Sequence, residues 1–137
     1  MKLLLQCDGG SRSNPGPAAY GYIIQDITQG AGKILEKCGN YLGHTTNNQA
    51  EYAGLINGID WVLKHYPRAD LQIKMDSLLI VNQIKGQFKV KHPDIIPRYR
   101  QAKALLTQLP SFSISYVPRA ENFLADSLVN QVLDAQL

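Results

Sequence analysis

The apolar residues change their period once along this chain, and that change constrains the fold more than any other feature. Leu3, Leu5 and Cys7 alternate with Leu4, Gln6 and Asp8, a spacing of two that specifies a strand. Strands are likewise predicted at about Ala19–Asp26 and Lys33–Leu42, joined by a turn from Thr28 to Gly32. The stretch Gly9-Gly10-Ser11-Arg12-Ser13-Asn14-Pro15-Gly16-Pro17 reads as a turn between the first two strands. From Asn47 to Tyr66 the period lengthens: Tyr52, Leu55, Ile56, Ile59, Val62 and Leu63 follow three-four spacing, which predicts a helix ended by Pro67.

The remainder alternates between the two periods. Leu71, Ile73 and Met75 predict a fourth strand, and Ser77 caps a short helix that stops at Gly86. Asp94 to Leu109 fits a helix with Pro97 in its first turn, where proline is tolerated. Phe112, Ile114 and Tyr116 mark a fifth strand. A last helix begins near Asn122 and is expected to carry Leu124, Leu128, Val132 and Leu133 inward. The order β-β-β-α-β-α-α-β-α, with right-handed crossovers after the helices, implies an α/β domain with a five-stranded mixed sheet and helices on its faces.

At 137 residues the chain is expected to form one domain over 1–137. Hydrophobic residues make up 45% and charged residues 18%, a balance that argues against disorder. The longest apolar runs, Leu3–Leu5 and Leu78–Val81, are far too short to cross a bilayer, and Gln6 and Asp8 interrupt the first before it could serve as a leader. A cytoplasmic, unprocessed protein is expected. The net charge of +3 is mild, but Lys85, Lys89, Lys91, Arg98, Arg100 and Lys103 fall in a segment whose single acid is Asp94. Such a segment either neutralises phosphates or forms a solvated face. Cys7 and Cys38 lack metal-ligand spacing and are expected to be reduced, half-buried packing residues.

Four acids stand where a casual carboxylate is unexpected. Asp8 lies on a strand that should be central, although Asp is depleted in strands. Asp76 ends the fourth strand, and parallel pairing with the first would bring both to one end of the sheet, where α/β proteins place ligands. Glu51 is expected in the first turn of the long helix and Asp126 in the first turn of the last. Each also has a structural reading. Asn48 and Glu51 fit a capping box, Asp126 suits a helix dipole, and Asp76 could be a turn residue. Gathered at one spot, the four would repel: at an effective dielectric of 20, one pair at 4 Å costs about 4 kcal/mol. Two divalent cations would balance them.

Four blocks carry a resemblance. Asp8-Gly9-Gly10-Ser11 with Asn14-Pro15-Gly16-Pro17, then Thr45-Thr46-Asn47-Asn48-Gln49-Ala50-Glu51, then Met75-Asp76-Ser77, then Asn122-Phe123-Leu124-Ala125-Asp126-Ser127-Leu128-Val129-Asn130 resemble ribonuclease H of type 1 over essentially the whole chain. The resemblance implies the ribonuclease H-like fold and an endoribonuclease that cleaves the RNA strand of RNA–DNA hybrids, leaving 5′-phosphate and 3′-hydroxyl ends. It implies two Mg²⁺ ions, with Mn²⁺ as a substitute. Asp8 would bridge them, Asp126 would help hold the ion at the attacking water, and Glu51 with Asp76 the ion at the leaving oxygen.

By the same resemblance Asn14, Asn47 and Asn48 enter the minor groove, Ser11 and Ser13 read 2′-hydroxyls, and Thr46 belongs to a DNA-phosphate pocket. Two departures matter. Only Gln87 to Pro93 separate Gly86 from Asp94, so the basic handle of many relatives is missing, and Lys89 and Lys91 would take over some of its phosphate contacts. The loop before Asp126 has Arg119 where many relatives have a histidine, as in the handle-less, archaeal-like branch; arginine cannot act as a base near neutral pH, so its role would be electrostatic. His44, His65 and His92 read as surface or packing residues. The alternatives are an inactive hybrid-binding module and a 3′–5′ exonuclease of related fold, whose first motif needs a glutamate where this chain has Gly10. A monomer with no membrane contact and no obligate protein partner is expected.

Overall fold

A computed structural model describes residues 1–30 and 32–136. The elements run β1 (Lys2–Ser11), β2 (Gly16–Asp26), β3 (Lys33–Thr45), α1 (Asn47–His65), β4 (Asp70–Met75), α2 (Leu78–Ile84), α3 (Ile96–Leu106), β5 (Ser111–Tyr116), a 3-10 turn (Arg119–Asn122) and α4 (Phe123–Asp134). The order of the elements is the one the changing period implies. The five strands form one sheet in the order β3-β2-β1-β4-β5. β1 to β3 pair antiparallel, and β4 runs parallel to both β1 and β5, so the sheet is mixed.

Several boundaries differ from the sequence expectation. Gly9, Gly10 and Ser11 are not turn residues; they extend β1 and pair with Tyr20, Ala19 and Ala18 of β2. Ladder hydrogen bonds outweigh the poor strand preference of glycine, and the turn shrinks to 12–15. β3 runs on to Thr45, and α3 is shorter than expected at both ends. Of the Thr28–Gly32 turn, Ala31 lies outside the described residues; Asp26 Oδ1 anchors its start by accepting from Thr28.

One sheet face packs on α1. Leu3, Leu5 and Cys7 meet Tyr52, Leu55 and Ile59 in the main core. Cys7 is therefore fully buried rather than half-buried, and both cysteines are free thiols. The other face carries α4 over two glycines without side chains, Gly21 and Gly39. Asp8, Gly21 and Gly39 are cross-strand neighbours on β1, β2 and β3. A Cβ added at Gly21 would stand 2.9 Å from the Ala125 carbonyl oxygen, and one at Gly39 2.9 Å from Val132 Cγ2. The helix thus rests directly on the sheet, and its inward stripe is Ala125, Val129 and Leu133. Leu124, expected inside, is exposed; Leu128 and Val132 are half-buried flanks. The close approach selects a small residue, Ala125, where a leucine would not fit.

Candidate active site

Strand register brings the first two acids together. β1 and β4 pair in parallel through Gln6↔Lys74, and the same offset sets Asp8, within β1, level with Asp76, the residue that follows β4. Glu51 arrives from α1. It lies in the second helical turn, not the first, because the cap is Thr46 and not Asn48: Thr46 Oγ1 accepts from the Gln49 amide at 3.3 Å. The capping reading of Glu51 therefore fails, and the carboxylate is available to the site. Its Oε1 accepts from the Gly9 amide at 3.2 Å. That contact needs glycine, since a Cβ at Gly9 would lie 2.2 Å from the Ala50 carbonyl carbon.

Ligand oxygens of Asp8, Glu51 and Asp76 lie within 4.8 Å of one another. Asp8 is 5% exposed and Glu51 9%. Burial pushes Asp8 up to about 10, reinforced by its hydrogen bond to Glu51 and by the charges of Glu51 and Asp76. Burial also raises Glu51, with the charge of Asp76 adding to it, while hydrogen bonds from Asp8, Ser77 and the Gly9 amide oppose the rise. Behind them burial raises the Cys7 thiol, which stays neutral. Three hard oxygen donors that resist simultaneous ionisation fit a divalent cation of the Mg²⁺ or Mn²⁺ type.

Asp126 lines the same cleft, of about 480 Å³, but stands outside that group of three. Its Oδ1 accepts from Arg119 Nη2 at 3.0 Å, and its Oδ2 from Asn130 Nδ2 at 3.4 Å. Asn122, wholly buried, donates to the Cys7 carbonyl oxygen at 2.9 Å and to Asp76 Oδ1 at 3.4 Å. It ties the start of α4 to both acid-bearing strands, and nothing in the sequence beyond its place in the last block marks that role.

Of the polar residues expected to meet substrate, Ser11, Asn47 and Asn48 line the cleft. Asn47 Oδ1 accepts from the Ser11 amide at 2.7 Å, and Asn14 Oδ1 accepts from the Asn47 amide at 3.0 Å. Ser11 Oγ donates to the Ser13 carbonyl oxygen at 2.6 Å, and Ser13 has φ 66° in a tight loop. Lys89 and Lys91 are exposed and do not line the cleft of the acids; Lys89 lines a second cleft beside Phe88, Tyr99 and Arg100. The basic segment is not uniformly solvated. Arg98 Nε donates to Gln49 Oε1 at 2.9 Å, and Lys103 Nζ to the Ile84 carbonyl at 3.2 Å. His65 stacks on Trp61, and among the described residues no helix is long and apolar enough to cross a membrane.

The sheet order, the crossing helices and the acids at the strand ends define the ribonuclease H-like class of α/β fold. Comparison with known proteins agrees. A family model described as reverse transcriptase-like matches residues 6–132. The bifunctional protein Rv2228c of Mycobacterium tuberculosis is 44% identical over 135 residues, 98% of this chain and 36% of that protein. The ribonuclease HI of Halobacterium salinarum is 39% identical over 127 residues, 93% of this chain and 62% of its own length. This chain thus spans about a third of the mycobacterial relative. Among solved structures, ribonuclease H1 of H. salinarum superposes with a TM-score of 0.91 at 37% identity, covering 98% of this chain and 99% of that one. LC11-RNase H1 in complex with an RNA/DNA hybrid gives 0.91 at 34% identity, with the same coverage. The chain belongs to the type 1 ribonuclease H family.

Proposed function

We propose that the protein is an endonuclease that hydrolyses the RNA strand of RNA–DNA hybrids, giving 5′-phosphate and 3′-hydroxyl products. One observation carries the reading: buried Asp8 and Glu51 and half-buried Asp76 converge on the floor of a cleft whose rim is built from amides and hydroxyls. Asp8, Glu51 and Asp76 would hold divalent metal, with Asp126 as the fourth ligand. Bound there, a pair of such ions supplies an activated water and stabilises the leaving 3′ oxygen.

The chain's own groups orient the substrate. Asn14 and Asn47 commit their side-chain oxygens to backbone amides, which leaves each NH₂ as the group to offer. Minor grooves present acceptors whichever base pair is there, so two fixed donors suit a duplex of any sequence. Ser11 Oγ, already donating to Ser13, keeps lone pairs that can accept from a 2′-hydroxyl, the group that separates RNA from DNA. Asn48 completes that rim, Ser13 fixes the Ser11 hydroxyl through its carbonyl and would read a neighbouring 2′-hydroxyl, and Thr46 offers its hydroxyl proton to a DNA phosphate while its oxygen caps α1. Lys89 and Lys91, exposed between α2 and α3, would contact phosphates of the flanking duplex. Arg119, a fixed cation at the cleft, stabilises negative charge on the reacting phosphate.

The test is a uniform RNA–DNA duplex with labelled RNA, incubated with Mg²⁺ beside single-stranded RNA and duplex DNA controls. Internal cuts confined to the hybrid's RNA, with 5′-phosphate ends, are expected. Mononucleotides released from one end would indicate an exonuclease, and a bound but intact duplex would indicate a binding module.

A further inference from the structure

The four acids are not equivalent, and the difference lies in what neutralises them. Among the described residues, Asp8, Glu51 and Asp76 face one another without an ion pair to any basic side chain. Asp126 already has one. Arg119 takes Oδ1 and the Asn130 amide takes Oδ2, so both of its oxygens are engaged. The Arg119 side chain is 73% exposed and that of Asp126 20%, so the guanidinium lies over the carboxylate from the solvent side. Asp126 in turn holds the guanidinium proton more firmly, which keeps Arg119 cationic.

We infer that Arg119 is a positioning residue that withholds Asp126 from metal in the free protein and surrenders it when a substrate phosphate arrives. This rests on the two-metal reading only in taking Asp126 as an eventual ligand. An exposed ion pair is weak and costs little to part. A backbone phosphate carries the same single charge as the carboxylate but offers the planar fork two oxygens, where Asp126 gives it only Oδ1, so it competes well for the guanidinium. Once Arg119 turns to phosphate, Asp126 Oδ1 is released toward the other three acids. Substrate arrival and completion of the metal site are then coupled through one side chain, and by linkage each favours the other.

Calorimetric titration of Mn²⁺ into the full chain without nucleic acid tests this, using wild type, Arg119→Gln, Asp126→Asn and the double variant. Arg119→Gln removes a competing charge and frees a ligand; the exposed pair is weak, so Mn²⁺ should bind up to about fivefold more tightly than to wild type. Arg119→Lys keeps the charge and should stay closer to wild type. Asp126→Asn should weaken binding far more in the Arg119→Gln background than alone, because only there does Asp126 serve as a ligand. Equal effects of Asp126→Asn in both backgrounds, or no gain in Arg119→Gln, would overturn the inference. No nucleic acid is present, so failure of the hybrid-cleavage reading would leave these isotherms unchanged and is detected separately in the cleavage assay.

Discussion

Replacing Asp8 by asparagine should stabilise the metal-free protein, and by more as the pH rises. Burial and the neighbouring carboxylates hold Asp8 at about 10 in the fold against an ordinary 3.8. An acid raised in this way contributes fully below the unfolded value, and the contribution is lost as pH climbs toward the folded one. Between those limits the folded cluster retains one proton that the unfolded chain has released, which costs about 1.4 kcal/mol per pH unit. From pH 5.5 to 8.0 wild type should therefore lose up to about 3.5 kcal/mol relative to Asp8→Asn. The proton belongs to the cluster, so whatever share Glu51 keeps in the variant reduces that figure. Urea unfolding of both proteins in EDTA at the two pH values measures it. Free-energy differences that do not widen with pH would refute the reasoning that these carboxylates are forced together uncompensated. Mg²⁺ should restore much of the wild-type stability at pH 8 and do little for the variant.

Other outcomes follow from particular residues. Gly21→Ala, whose Cβ would stand 2.9 Å from the Ala125 carbonyl, should lift α4 and cost about 1–3 kcal/mol by thermal unfolding, with a matching loss of activity. Neutralising Lys89 and Lys91 should reduce the log–log salt slope of hybrid binding by about 0.9 for each phosphate no longer neutralised; an unchanged slope would make both residues a solvated face. Arg119→Ala should lower single-turnover rates by roughly ten- to thousand-fold with much less change in affinity. Because arginine does not titrate near neutral pH, wild type and Arg119→Ala should show parallel rate profiles from pH 6 to 8.

Much of this molecule is legible in the sequence because its fold and its chemistry both depend on local pattern. The switch from period two to three-four spacing at Asn47 locates α1 and, with it, Glu51. Asp8 on β1 and Asp76 just after β4 require only parallel pairing to meet. What the sequence hides is long-range. Gly9 to Ser11 look like a turn until β2 is seen beside them. Leu124 looks buried until the Gly21–Gly39 column lets α4 sink onto its alanine side. Thr46 and Asn48 are equally good caps in isolation, and the backbone angle at Thr46 decides between them. Asn122 is legible only as the start of the last helix and of the fourth block, since its partners are a carbonyl 115 residues earlier and the carboxylate of Asp76.

Hybrid cleavage by Asp8→Asn tests the central claim most directly. Asp8 is buried among Glu51 and Asp76, and an amide is a poor metal ligand, whereas the polar rim that would hold the duplex is untouched. Wild type should cut the labelled RNA strand with Mg²⁺ and stop in EDTA. The variant should bind the hybrid with similar affinity and show no cleavage above background at saturating Mg²⁺. Substantial turnover by the variant, or wild-type cleavage that persists in EDTA, would contradict a metal-dependent site built on Asp8.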